Sequence, residues 1–101
     1  MKVNFNKPFR DADGKPVIAA SGKEENIADR LGISLFNLVQ IKGRAATPEE
    51  KYQAYCILKK IKDNPEEVEI STEDATLIKD IAAETLSAGA YGQIYDIVES
   101  K

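Results

Sequence analysis

The chain of 101 residues contains no histidine. That removes the commonest general base and the commonest metal ligand together. Cysteine occurs once, at Cys56, so an internal disulfide, the usual zinc sites and the serine–histidine or cysteine–histidine nucleophiles cannot be assembled. Cys56 falls inside a helical pattern and reads as a small packed hydrophobe. No run approaches the roughly 20 apolar residues that cross a bilayer, and the opening MKVNFNKPFR lacks the apolar block of a signal peptide. Internal repeats and low-complexity tracts are also missing. These absences argue against an enzyme, a metal, a cofactor, a small-molecule substrate and a membrane, and a lone cysteine suits a reducing, cytoplasmic setting. Carboxylate chemistry is the catalytic option left. Its nearest candidate, Glu66, Glu67 and Glu69, reads as a solvated charge run.

What is present suffices for one domain. Apolar residues make up 43% of the chain, enough for a modest core. The net charge of −3 is unevenly spread: residues 1–63 hold 12 Lys and Arg against 8 Asp and Glu, net +4, whereas 64–101 hold 2 against 9, net −7. Such a split predicts a basic face that meets an acidic partner, or two halves that attract one another within a molecule or between copies.

The most consistent local signals lie in 47–63, TPEEKYQAYCILKKIKD. Thr47 and Glu50 form a capping-box pattern and Pro48 takes the first helical position, where its missing N–H costs nothing. Ala54, Tyr55, Ile57, Leu58 and Ile61 recur at helical spacing as a core face, leaving Lys59, Lys60 and Lys62 wet at the negative end of the helix dipole. Asn64-Pro65 ends it. The three lysines are either a seam with the acidic half or an edge that meets an acidic partner.

Before that helix, Val3 and Phe5 alternate with polar residues as in a half-buried strand, 11–14 (DADG) reads as a turn, and 16–18 could return as a second strand. DADG lacks the later ligands and closing Glu of a calcium loop. Ser21 and Glu24 predict a cap for a helix over 22–31, Gly32 a stop, and 34–41 a second short helix closed by Gly43. This pair resembles a helix-turn-helix, with Ala28, Leu31, Gly32, Ile33, Ser34, Leu38 and Ile41 in its framework positions. The reading helix is a poor match, because three of the five base-facing positions, Leu35, Phe36 and Val39, are apolar, and only Asn37 and Gln40 are polar. Arg30, Lys42 and Arg44 could touch phosphates, but the acidic chain as a whole supplies little of the electrostatic term that dominates DNA affinity.

After Asn64-Pro65, Val68 and Ile70 alternate with acids, and a third short strand over 67–70 could join the N-terminal ribbon. Ser71 with Asp74 predicts a capped helix over 71–86, 87–90 a turn, and Tyr91, Ile94, Tyr95 and Val98 one face of a final helix. Tyrosines near a terminus can fill a core or rim a partner site.

The opening MKVNFNKPFRDADGKPV, the middle EEKYQAYCILKKIKDNPEEVEIS, TEDATLIKDIAAE and the closing YGQIYDIVE together resemble a family of small proteins encoded in bacteriophages and prophages. The resemblance implies a phage origin and a bacterial host cytoplasm, with no reaction and no site residues attached. The expectation is therefore a single domain over 1–101, mainly α in an α+β arrangement, with a β-ribbon in 1–20 and about five helices in 21–101. Its expected role is that of a non-catalytic accessory protein that binds another protein, or itself, through Leu35, Phe36, Val39, Tyr91 and Tyr95. The alternative is a DNA-binding regulator using 26–43, with Arg30, Asn37, Gln40, Lys42 and Arg44 as contacts.

Overall fold

The computed structural model describes residues 1–99. Four helices occur among them: α1 (Ile27–Phe36), α2 (Pro48–Asp63), α3 (Thr72–Thr85) and α4 (Ala88–Glu99). They pack into one core with two short antiparallel pairs, β1 (Lys2–Val3) with β4 (Val68–Glu69), and β2 (Gln40–Ile41) with β3 (Arg44–Ala45). The mainly α, α+β expectation holds, with four helices rather than five.

The two helices with complete local signals form as expected. Thr47 accepts from the Glu50 N–H while Glu50 accepts from the Thr47 N–H, and Ser71 and Asp74 make the same reciprocal pair at α3. Along α2, Ala54, Ile57, Leu58 and Ile61 are buried, the i, i+3, i+4, i+7 stripe of an amphipathic helix. Tyr55, expected on that face, lies one residue round from it and is exposed. Cys56 is half-buried.

The pair of short helices around Gly32 does not exist. Residues 27–36 form one continuous helix, because Gly32 is not a stop but a point of close approach: a methyl there would meet Leu58 Cδ1 of α2 at 3.3 Å. The helix also starts later than expected. Gly22, at φ 86°, turns the chain between Ala19 and Lys23, and Glu25 is held extended by its N–H to the Val17 carbonyl. Ser21 therefore caps nothing, and Asn26 does instead, accepting from Ala28 N–H at 2.8 Å. Residues 40–45, expected to finish a helix, make a two-residue hairpin with Lys42 at φ 53° and Gly43 at φ 72°, both left-handed as such a turn requires. The Lys42 side chain pairs with Asp80 of α3 at 3.2 Å. A further correction concerns 87–90, where the turn is confined to Leu86 and Ser87 and Ala88 already opens α4.

The ribbon in 1–20 is only partly present. The 11–14 turn forms, with Asp11 accepting from the amides of Asp13 and Lys15, and Arg10 pairs with Pro16. Val3, however, pairs not with 16–18 but with Val68, so the optional third strand is β1's partner. Fully buried Phe5 anchors this segment: its N–H donates to Pro65 and its carbonyl accepts from Ala28.

Two substitutions test this packing. Gly32→Ala should stabilise the protein by less than the roughly 1 kcal/mol of helix propensity, because its methyl would press on Leu58 Cδ1 at 3.3 Å. Gly32→Leu should cost about 1–3 kcal/mol by overpacking the crossing. Urea unfolding measures both. At the hairpin, Arg44 grips Glu50 through two parallel bonds, Nη1–Oε1 at 2.9 Å and Nη2–Oε2 at 2.8 Å. This pairing, with the Thr47 amide, lowers the Glu50 carboxyl to about 2. A depressed carboxylate contributes stability above its unfolded value and loses it as pH falls. Glu50→Gln should therefore be less stable than the parent at neutral pH, with the gap closing as pH falls from about 4.5 through about 2. Paired acid-unfolding curves would show the convergence.

Candidate functional site

Helical spacing decides which of the apolar residues in 31–39 reach the surface. Leu31 and Leu35 follow Ile27 into the core, and Leu35 is 2% exposed. Leu35 and Phe36 are neighbours in sequence and so point about 100° apart on the helix. Ile33 and Phe36, three apart, emerge on the other side, 55% and 70% exposed. Leu35 is thus removed from the expected partner-binding set, and Ile33 takes a place beside Phe36. Val39, beyond the helix end, is also exposed.

Ile33 and Phe36 border an open groove of about 200 Å³ between α1 and α2, beside the Gly32–Leu58 crossing. Leu58 lines it from α2, Asp29 and Asn37 from α1, and Lys62 from the last turn of α2. The outer side of α2 adds exposed Tyr52 and Tyr55, with ring centroids 6.2 Å apart, and Lys59 Nζ lies 5.6 Å from the Tyr55 ring. Single exposed apolar residues are ordinary on any surface, whereas two side by side over a groove form a patch.

The three lysines of α2 divide between the two readings. Lys60 is a seam residue, donating to the Glu69 carbonyl at 3.2 Å and lying 3.8 Å from the Asp74 carboxylate. Among the described residues Lys59 and Lys62 make no ion pair and remain exposed.

Tyr91 and Tyr95 lie elsewhere, on α4, with ring centroids 6.0 Å apart. Ile94 and Val98 of that helix enter the core, Tyr91 is half-buried against it, and Tyr95 is partly exposed with Lys79 Nζ 5.1 Å from its ring. Lys79 also pairs with Glu99, which raises the lysine above its ordinary value. Tyr91 is thus packed against the core, while Tyr95 is exposed beside Lys79.

The expected nucleic-acid contacts do not converge. Arg30 lines a separate cavity of about 480 Å³ where Phe9, Val17, Leu86 and Gln93 meet, opposed there by Glu25 and Asp11. Asn37 ends α1, its backbone and side-chain N–H groups both donating to the Ile33 carbonyl. Gln40 sits in β2, Lys42 is paired with Asp80 and Arg44 with Glu50. Residues 27–36 thus form one helix followed by the 40–45 hairpin, not a helix-turn-helix, and two of the three cations are internally paired.

Sequence reasoning missed Ile33 and Leu58 as groove residues. The available signal was the 29, 33, 36 spacing on one helix face, hidden once Gly32 is read as a stop. Compared with protein-family models, with curated proteins and with solved structures, the chain finds no match in any of the three.

Proposed function

We propose that this protein is a non-catalytic binding module that holds another protein through the groove between α1 and α2. The observation that carries this reading is the exposure of Ile33 and Phe36 side by side on a capped, core-packed helix, with Leu58 lining the groove. Burying two such side chains contributes about 1.5–3 kcal/mol each, and a helix that is already ordered gives up little further entropy on binding. The lack of histidine supports a non-catalytic role. A phage accessory role rests on the resemblance of the sequence segments alone.

Photo-crosslinking in the native cell tests the reading. A photoreactive phenylalanine at position 36 or 33 should give one discrete protein adduct, and the same group at exposed Glu84 should give none. Identical adducts from all three positions, or none from any, would overturn it.

A further inference from the structure

We infer that the occupant of the α1–α2 groove is an acidic amphipathic helix. The inference rests on the binding reading above and adds the chemistry of the partner. Size is the first argument. A groove of about 200 Å³ has room for one or two large side chains, below the roughly 300–1,000 Å³ of small-molecule sites. An open channel between two crossing helices suits the apolar face of a third, which presents anchors at i, i+3, i+4 and i+7.

Charge is the second argument, and it selects the kind of helix. Three cations of the α1–α2 half are already neutralised within the chain, Lys42 by Asp80, Arg44 by Glu50 and Lys60 by Asp74. Lys59 and Lys62 are not, among the described residues, and Lys62 lines the groove itself. They stand three residues apart, about 4.5 Å along the helix axis. Carboxylates at i and i+3 or i+4 on an incoming helix have the same repeat and would meet both. Asp29 is the one carboxylate lining the groove and Lys62 the one lysine, with Lys59 exposed one turn back along α2. Partner carboxylates would add chiefly to encounter rate and selectivity, and the apolar anchors to affinity.

Display selection with a defined library tests the inference. The probe is an 18-residue amphipathic helix with a constant apolar face and outer positions randomised among Glu, Lys and Gln. It is selected on the full chain and counter-selected on Ile33→Ala/Phe36→Ala. We expect winners that depend on Phe36 and carry Glu several-fold more often than Lys. Repeating the selection on Lys59→Glu/Lys62→Glu should reverse that preference, and a synthetic winner should bind the parent more weakly as salt rises. Winners that depend on Phe36 but show no Glu preference, or one unmoved by charge reversal, would overturn the acidic assignment and leave the groove standing. Absence of any Phe36-dependent winner would overturn the groove itself. Sedimentation showing a dimer that Phe36→Ala abolishes would give the groove to a second copy and overturn the inference.

Discussion

Phe5→Ala should lower the stability of the protein by about 3–5 kcal/mol, the range for removing a fully buried phenylalanine. Phe5 lies two residues after the end of β1, yet it joins three distant parts of the chain. Its ring is fully buried in the core, its N–H donates to Pro65 at 2.8 Å, and its carbonyl accepts from Ala28 at 3.0 Å. Truncation leaves a cavity under the start of α1 and beside the turn that leads to β4. For a domain of this size each kcal/mol shifts Tm by about 4–8 °C, so the midpoint should fall by more than about 10 °C. Lys7→Ala, two residues on and exposed, is the control and should stay within about 0.5 kcal/mol. A loss under about 1 kcal/mol for Phe5→Ala, measured by urea unfolding, would contradict the packing of the N-terminal segment.

Phe36→Ala should have the opposite profile. The ring is 70% exposed, so the change in unfolding free energy should stay within about 0.5 kcal/mol. Affinity for the partner should nevertheless fall by about 30-fold or more, corresponding to the roughly 2 kcal/mol that marks an aromatic anchor at the centre of an interface. Tyr95→Ala should leave that affinity unchanged, because the tyrosines of α4 stand apart from the groove beside Lys79. A Phe36→Ala protein that binds as tightly as its parent would contradict the site.

The contrast between these two phenylalanines shows what was legible in the sequence. Helices α2 and α3 could be read to within a residue or two because their starts are local: a capping residue, its acidic partner three positions on, and for α2 a proline at the first helical position. The alternation of Val3 and Phe5 marked burial correctly. The pairing partner was not legible, since Val68 lies 65 residues away and the nearer 16–18 segment has an equally suitable pattern. Glycine misled most. Gly32 is a close-packing point defined by Leu58, Gly22 is a turn residue rather than the first residue of a helix, and Gly43 completes a hairpin whose other left-handed residue is Lys42. The role of Gly32 is set by a tertiary contact that the local pattern does not contain, whereas Gly22 and Gly43 serve local turns in open space. The candidate site inherited the same error: with Gly32 read as a stop, Leu35 and Phe36 fell on one face, whereas the continuous helix sends Leu35 inward and puts Ile33 beside Phe36. The charge divide was visible, and in the structure Lys60 meets the acidic half at Asp74 and the Glu69 carbonyl, while Lys59 and Lys62 make no ion pair among the described residues.

The most direct test of the binding groove is a methyl chemical-shift map of the protein with and without the partner captured by crosslinking. The groove account predicts the largest changes at Ile33 and Leu58, smaller ones at neighbouring residues of α1 and α2, and none at Ile94 and Val98 of α4. Changes centred on Ile94 and Val98, with Ile33 and Leu58 unmoved, would contradict it.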